Sequence, residues 1–224
     1  MNLVNIKKAF ILTIPVLLGY IFLGIGFGIL IVKSGFDIFT AFISSTTIYA
    51  GSMQYALAGF LKENISLISI VAMTFFINSR HMFYGLSLLE RYNQMGKLKP
   101  YMIFSLTDET YALMCSLKGK EDYESNSILF LISFFNQIYW IIGGVLGSLI
   151  GTLIQFDSRG IEFVMTALFV TIVIDQYRAY KDHVPFYLGL IVGILSLLIF
   201  KAANFILPAL IIIVILLVIR MKRA

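Results

Sequence analysis

Four ionisable residues stand inside otherwise apolar stretches of this 224-residue chain. Arg80 and His81 fall within the run from Asn64 to Leu89, and Asp108 and Glu109 interrupt the run from Pro100 to Leu117. Each run reaches the length that spans a bilayer, about 20 residues, only if its charged pair is kept inside. A guanidinium near mid-helix costs about 2.5–3.5 kcal/mol on insertion scales and needs an anionic partner or a water-filled cavity. Two adjacent carboxylates in the same setting cannot both stay ionised unaided. Either a cation such as Arg80 pairs with one, or one binds a proton. A carboxylate that takes and releases a proton can couple proton flow to transport. His81, with an ordinary pKa of about 6.5, is a second candidate carrier.

The residues around these charges extend the pattern. Thr74, Asn78, His81 and Gly85 share one helical face, and Arg80 and Tyr84 lie beside it. In the preceding run, Ser44, Thr47, Gly51, Gln54 and Ala58 recur at alternating spacings of three and four, which would form one small polar stripe on a helix. That stripe is either a seam against a neighbouring helix or the wall of a solute path, with Gly51 marking a break in the helix. A broken helix exposes backbone N–H groups whose dipoles can hold a carboxylate. Gly51, Ser52, Gln54, Asn78, Arg80 and Tyr84 are therefore the candidates for substrate contact, and His81, Asp108 and Glu109 for proton coupling. A zwitterion needs an anion site and a cation site close together. Arg80 or the Gly51 break would serve its carboxylate, and Asp108 or Glu109 its amine.

The elements that must position these residues are membrane helices. Hydrophobic residues make up 59% of the chain and charged residues 13%, about half the roughly 25% of a soluble domain. The uncharged runs, from Ala9–Val32 through Ala202–Ile219, number eight. The expected fold is an all-α polytopic helix bundle of about seven to eight transmembrane segments with at least one broken helix, near Gly51 or within Asn78–His81. It would form a single permease domain over residues 1–224. The run after Lys7 and Lys8 is too long for a signal peptide and reads as a retained first helix. Gly24 with Gly28, Gly143 with Gly147 and Gly151, and Gly189 with Gly193 repeat at four-residue spacing, a signal for close helix packing in lipid.

Lys and Arg counts in the connections set the orientation. With eight spans and the N-terminus inside, ten of these residues face the cytoplasm and six the other side. The N-terminus is thus expected in the cytoplasm. The balance changes if Pro100–Leu117 is re-entrant. The net charge of +5 belongs to these connections and tails. No basic stripe interleaved with aromatics suggests nucleic acid.

Three stretches, in order, carry a family resemblance: Tyr49-Ala50-Gly51-Ser52-x-Gln54, Asn78-x-Arg80-His81-x-x-Tyr84 and Asp108-Glu109-x-Tyr111. Together with Asn136-Gln137-x-x-Trp140 followed by Gly147 and Gly151, and with Phe163-x-x-Thr166-Ala167-x-Phe169, the chain resembles the AzlC family of branched-chain amino acid exporters to about Arg178. The resemblance implies a cell-membrane permease for hydrophobic amino acids. It also implies a companion, a small AzlD-type membrane subunit. Proton-coupled antiport is the expected energy source, and no cofactor or metal is expected.

Other functions fit less well. Export of another small zwitterion or amine would use the same charges. An intramembrane hydrolase built on Ser52 and His81 lacks a Gly-x-Ser-x-Gly elbow and a zinc-type His-Glu-x-x-His. A purely structural subunit would have no need of Arg80, Asp108 and Glu109 inside the membrane. No nucleotide-binding loop is present, so this chain does not itself use ATP.

Overall fold

The computed structural model of the chain describes residues 3–62, 65–117, 125–153, 170, 173–174, 177–178 and 181–221. Glycine spacing builds its centre. Gly24 and Gly28 lie on α1 (Leu3–Lys33), and Gly143, Gly144, Gly147 and Gly151 on α8 (Asn126–Leu153). A Cβ placed on Gly24 would stand 2.9 Å from the Cα of Gly143. One on Gly28 would strike the carbonyl oxygen of Gly144, and one on Gly147 the carbonyl oxygen of Ile25. The two backbones are in direct contact, and Ser148 Oγ donates to the Gly28 carbonyl at 3.3 Å. This is the close approach that small residues allow between helices in lipid. α1 packs more extensively on α8 than any other pair of described elements does on each other.

The run from Ile38 to Leu61 is two helices rather than one. α2 (Ile38–Thr47) stops, residues 48–50 belong to neither helix, and α3 (Gly51–Lys62) begins. Tyr49 turns the chain with a φ of 41°, a left-handed conformation rare for a residue with a bulky side chain. The polar stripe expected along one continuous helix is therefore split. Ser44 and Gln54 are buried, whereas Thr47 is exposed and donates to its own helix at the Ile43 carbonyl.

α4 (Leu67–Ser87) runs without interruption through Asn78–His81. Of the two places expected for a break, only the one beside Gly51 has it. The 21 residues of α4 rise to about 31 Å as a helix only because Arg80 and His81 are included. A short helix α5 (Leu89–Asn93) and a 3-10 turn (Gly96–Leu98) lead to α6 (Lys99–Phe104). A second break at residues 105–107 then separates α6 from α7 (Asp108–Leu117). The Pro100–Leu117 run is thus divided beside its carboxylates, and the ten residues of α7 cover only about 15 Å.

Two units follow from how the chain packs: Met1–Asn64 with Thr74–Met165, and Ile65–Met73 with Thr166–Ala224. The second contains α9 (Val184–Asn204) and α10 (Ile206–Met221), which pack on each other. Asp182, just before α9, meets Arg220 in the last turn of α10 at 2.7 Å, so the two helices run antiparallel. Hydrogen bonds from Arg220 and from the Val184 amide hold the Asp182 carboxyl below its ordinary pKa. Nothing described lies within 4 Å of a Cβ placed on Gly189 or Gly193, so these two glycines do not support the close packing read from their spacing.

All regular structure among the described residues is helical. Of these helices, α1 and α8 are long and apolar enough to cross a bilayer. The expected seven to eight spans are not counted by these two alone. The motif Phe163-x-x-Thr166-Ala167-x-Phe169, most of the run Phe163–Ile174, and Lys118, Lys120, Arg159, Lys222 and Arg223 of the orientation count lie outside the described residues.

Candidate substrate and proton site

Both helix breaks fall in the first unit, and their far sides face a common partner, Arg80 of α4. Ser52 sits in the first turn of α3 and is 7% exposed; its Oγ accepts from Arg80 Nη2 at 2.8 Å. Asp108 opens α7, and its Oδ2 lies 2.9 Å from the same Nη2. The local reasons are clear. Thr107 caps α7, its Oγ1 accepting from the Thr110 amide at 3.3 Å. That fixes Asp108 and Glu109 in the first turn, where a helix dipole favours negative charge. His81 Nε2 stands 3.9 Å from Asp108 Oδ1, too far for a hydrogen bond.

The cluster leaves hydrogen-bonding capacity unused. Arg80 Nε, Asp108 Oδ1 and Asn78 Oδ1 are buried atoms without a hydrogen-bond partner, and the Tyr49 hydroxyl, likewise unpartnered, faces Glu109, Tyr20 and Thr107 instead. Most buried polar atoms are paired, so several unpaired ones in one region mark a place built for something else. Beside Arg80 the set comprises a guanidinium donor and two acceptors. Tyr84 lies at the edge of this region, stacked on Tyr111 with ring centroids 4.4 Å apart and edge-on to His81 at 5.8 Å.

Glu109 belongs to a separate array. Its Oε2 accepts from the Tyr20 hydroxyl of α1 at 2.7 Å. Tyr20 in turn lies 2.6 Å from Thr107 Oγ1, Thr107 donates to Thr110 Oγ1 at 2.9 Å, and Asn136 Nδ2 of α8 donates to Thr110 at 2.9 Å. Glu109 itself is exposed, while Tyr20, Thr107, Thr110 and Asn136 are buried.

One turn of α8 braces both breaks. Asn136 reaches Thr110 beside the second break. Gln137 Nε2 donates to the Thr46 carbonyl at 3.2 Å, satisfying an end carbonyl of α2, and is itself held by the Tyr101 hydroxyl at 2.8 Å. Trp140 Nε1 donates to Gln54 Oε1 at 2.8 Å, and Gln54 Nε2 donates to Ser45 Oγ at 3.3 Å. The Trp140 ring also covers Gly51, where an added Cβ would come within 3.1 Å of it.

The structure thus brings Ser52, Arg80, His81 and Asp108 together, with Asn78 and Tyr84 on the same helix as Arg80. It holds Gly51 and Gln54 against Trp140, and it directs Glu109 toward α1. No hydrogen bond joins Ser52 to His81 among the described residues; Ser52 Oγ accepts from Arg80 instead. Sequence reasoning missed Tyr20, Tyr49, Thr107 and Thr110 as site residues. Tyr20 shares its uncharged run with one other hydroxyl, Thr13, and nothing sets it apart, whereas Thr107 precedes a pair of acidic residues as helix caps often do; only the second was a usable signal.

Comparison with known proteins agrees with these motifs. Residues 15–154 match the family model described as AzlC protein. The chain is 37% identical over 217 residues to an "Uncharacterized membrane protein" of Helicobacter pylori, covering 97% of this chain and 95% of that one. It is 36% identical over 203 residues to "Branched-chain amino acid transport protein AzlC" of Bacillus subtilis, covering 91% of this chain and 80% of that one. It is 26% identical over 173 residues to "Inner membrane protein YgaZ" of Escherichia coli, covering 74% and 71%. No solved structure matches it. With a family model spanning residues 15–154 and close relatives covering nearly all of it, the chain belongs to the AzlC family.

Proposed function

We propose that this chain is a membrane permease subunit that exports branched-chain amino acids by proton-coupled antiport. Membership of the AzlC family supports a transport role, and the name of the Bacillus subtilis relative supports the substrate class. The observation that carries the chemistry is the half-used pair of Arg80 and Asp108. Each spends one atom on the other, and each keeps a second buried atom without a partner. Arg80 Nε and the free N–H groups at the start of α3 suit a carboxylate. Asp108 Oδ1 and Asn78 Oδ1 suit an ammonium group. A carboxylate of the Asp108–Glu109 pair binds the substrate amine or a proton in alternation, so that proton entry drives amino-acid exit. The permease works in the cell membrane with its N-terminus in the cytoplasm, beside a small AzlD-type subunit.

Proteoliposomes loaded with labelled leucine, valine and isoleucine test this, with and without the small subunit. An imposed pH gradient should drive efflux of all three. Absence of gradient-driven efflux in both preparations rejects the reading. The same charges fit any small zwitterion, so a competition series with other amino acids and simple amines decides whether the export serves branched side chains or a wider class.

A further inference from the structure

The geometry points to a division of labour between the two adjacent carboxylates: Asp108, paired with Arg80, is left to the substrate, and Glu109 carries the coupled proton, its charge state read by α8 through Tyr20, Thr107 and Thr110. This rests on the antiport reading above and replaces alternation at a single carboxylate by a proton on Glu109 and the substrate amine at Asp108.

The hydroxyl protons between Glu109 and Thr110 can be counted. Three short contacts join Glu109, Tyr20, Thr107 and Thr110, at 2.7, 2.6 and 2.9 Å. Each hydroxyl has one proton to give and two lone pairs to receive. Thr107 gives its proton to Thr110 and already accepts from the Thr110 amide. The contact between Tyr20 and Thr107 must then be filled by the Tyr20 proton. That leaves the contact between Glu109 and Tyr20 complete only if Glu109 brings a proton of its own. With Glu109 ionised, the array is complete in the opposite sense: Tyr20 donates to Glu109, Thr107 to Tyr20, and Thr110 to Thr107. No oxygen has to move between these arrangements. Each hydroxyl keeps one proton and turns it, and the single proton exchanged is the one on Glu109.

The surroundings fit this assignment. The groups facing Glu109 are Tyr20 from α1, Tyr49 from the α2–α3 link, Arg80 from α4 and Asp108 beside it. Arg80 is already committed to Asp108 and Ser52, and no described cation lies within 4 Å of Glu109. Asp108 has its neutralising partner, whereas Glu109 has only hydroxyls. At the far end, Asn136 Oδ1 is buried without a partner. A turn of the Asn136 amide would let that oxygen accept from Thr110 when the array runs away from Glu109.

Infrared titration of the purified protein reads this without any substrate. A protonated-carboxyl carbonyl band that appears on acidification should be present in wild type and in Asp108→Asn, and missing in Glu109→Gln. Tyr20→Phe should move its midpoint by on the order of one pH unit, the change expected for a hydrogen bond to a charged group. Thr107→Ser should keep the wild-type midpoint, since it keeps the hydroxyl and the cap. In proteoliposomes, the ratio of pH-driven efflux to leucine–leucine exchange should fall at least tenfold in Glu109→Gln and Tyr20→Phe. A band lost in Asp108→Asn but kept in Glu109→Gln overturns the assignment, as does an unchanged ratio in Tyr20→Phe. Lack of leucine exchange by wild type would count against the transport reading alone, because the infrared result still decides which carboxylate titrates.

Discussion

Arg80 Nη2 lies 2.9 Å from Asp108 Oδ2, while Arg80 Nε and Asp108 Oδ1 remain buried and unpartnered. The side chains are 23% and 32% exposed, so the pair is only partly withdrawn from its surroundings. Removing one charge of a fully buried pair costs about 3–5 kcal/mol, and partial exposure reduces that to about 1–2 kcal/mol here. Asp108→Asn and Arg80→Gln should each lower thermal stability in detergent and abolish export. The double variant should regain most of the stability and none of the transport. If Asp108→Asn exports normally across a range of pH, the pair is structural, and Asn78 becomes the better candidate for substrate contact.

The contact of α1 with α8 predicts a sharp difference between glycines. Gly28→Ala places a methyl group against the Gly144 carbonyl and within 2.6 Å of the Ser148 amide, both backbone atoms with no room to yield. It should sharply reduce the yield of folded, monodisperse protein. Gly189→Ala meets nothing within 4 Å among the described residues and lies inside α9. It should be neutral or stabilising by up to about 1 kcal/mol through helix propensity. Size-exclusion profiles after a heating series separate the two outcomes.

Gln54 and Trp140 join α3 to α8 through one buried hydrogen bond of 2.8 Å. Gln54→Leu leaves the indole N–H without its acceptor, at a cost of about 1–3 kcal/mol. Trp140→Phe leaves the Gln54 oxygen unpaired and also loses the cover over Gly51. A double-mutant cycle on thermal stability should return a coupling of about 1 kcal/mol. Strict additivity would show that the bond does not hold the start of α3 in place.

Much of this arrangement was legible in the sequence. Charges inside apolar runs identified Arg80, His81, Asp108 and Glu109, because such residues are tolerated in a membrane only with partners. Glycine spacing marked packing faces on α1 and α8, and the structure shows that these two faces meet each other. The break beside Gly51 was legible as a polar, glycine-containing interruption. Pairing was not: nothing in the order of residues told that Arg80 takes Asp108 while Glu109 turns to Tyr20. The two carboxylates are neighbours in sequence, but successive residues on a helix point about 100° apart, and which one meets α4 depends on how α7 is capped and placed. The role of α8 as a brace was hidden for a related reason. Asn136, Gln137 and Trp140 reach three different elements far away in the chain, and periodicity reports only which face a residue occupies. For the glycines of α9 the spacing signals a packing face without naming its partner, and no partner for it is found among the described residues.

Tyr49 offers the most specific test of whether the first break serves substrate. Its φ of 41° is a left-handed conformation, costing roughly 1–2 kcal/mol for a residue with a Cβ. Its ring is 3% exposed and packs near Phe104 at 6.3 Å, while its hydroxyl is buried with no partner. Strain held at one residue together with an unpaired polar atom is a pattern found at functional sites. Tyr49→Gly relieves the strain but removes the ring, and losing a large buried aromatic costs about 3–5 kcal/mol; the protein should be less stable. Tyr49→Phe keeps the ring and the backbone and removes only the orphan hydroxyl. Because leaving such a group unsatisfied costs about 1–3 kcal/mol, this variant should be at least as stable as wild type, with a Tm higher by a few degrees. If the hydroxyl meets the substrate carboxylate, the added stability comes with weaker binding. Leucine raises the Tm of a protein that binds it in the folded state, and that increment should shrink in Tyr49→Phe. Equal increments in wild type and Tyr49→Phe would leave the hydroxyl without a role in binding and shift the carboxylate contact to Arg80 Nε and the N–H groups of α3.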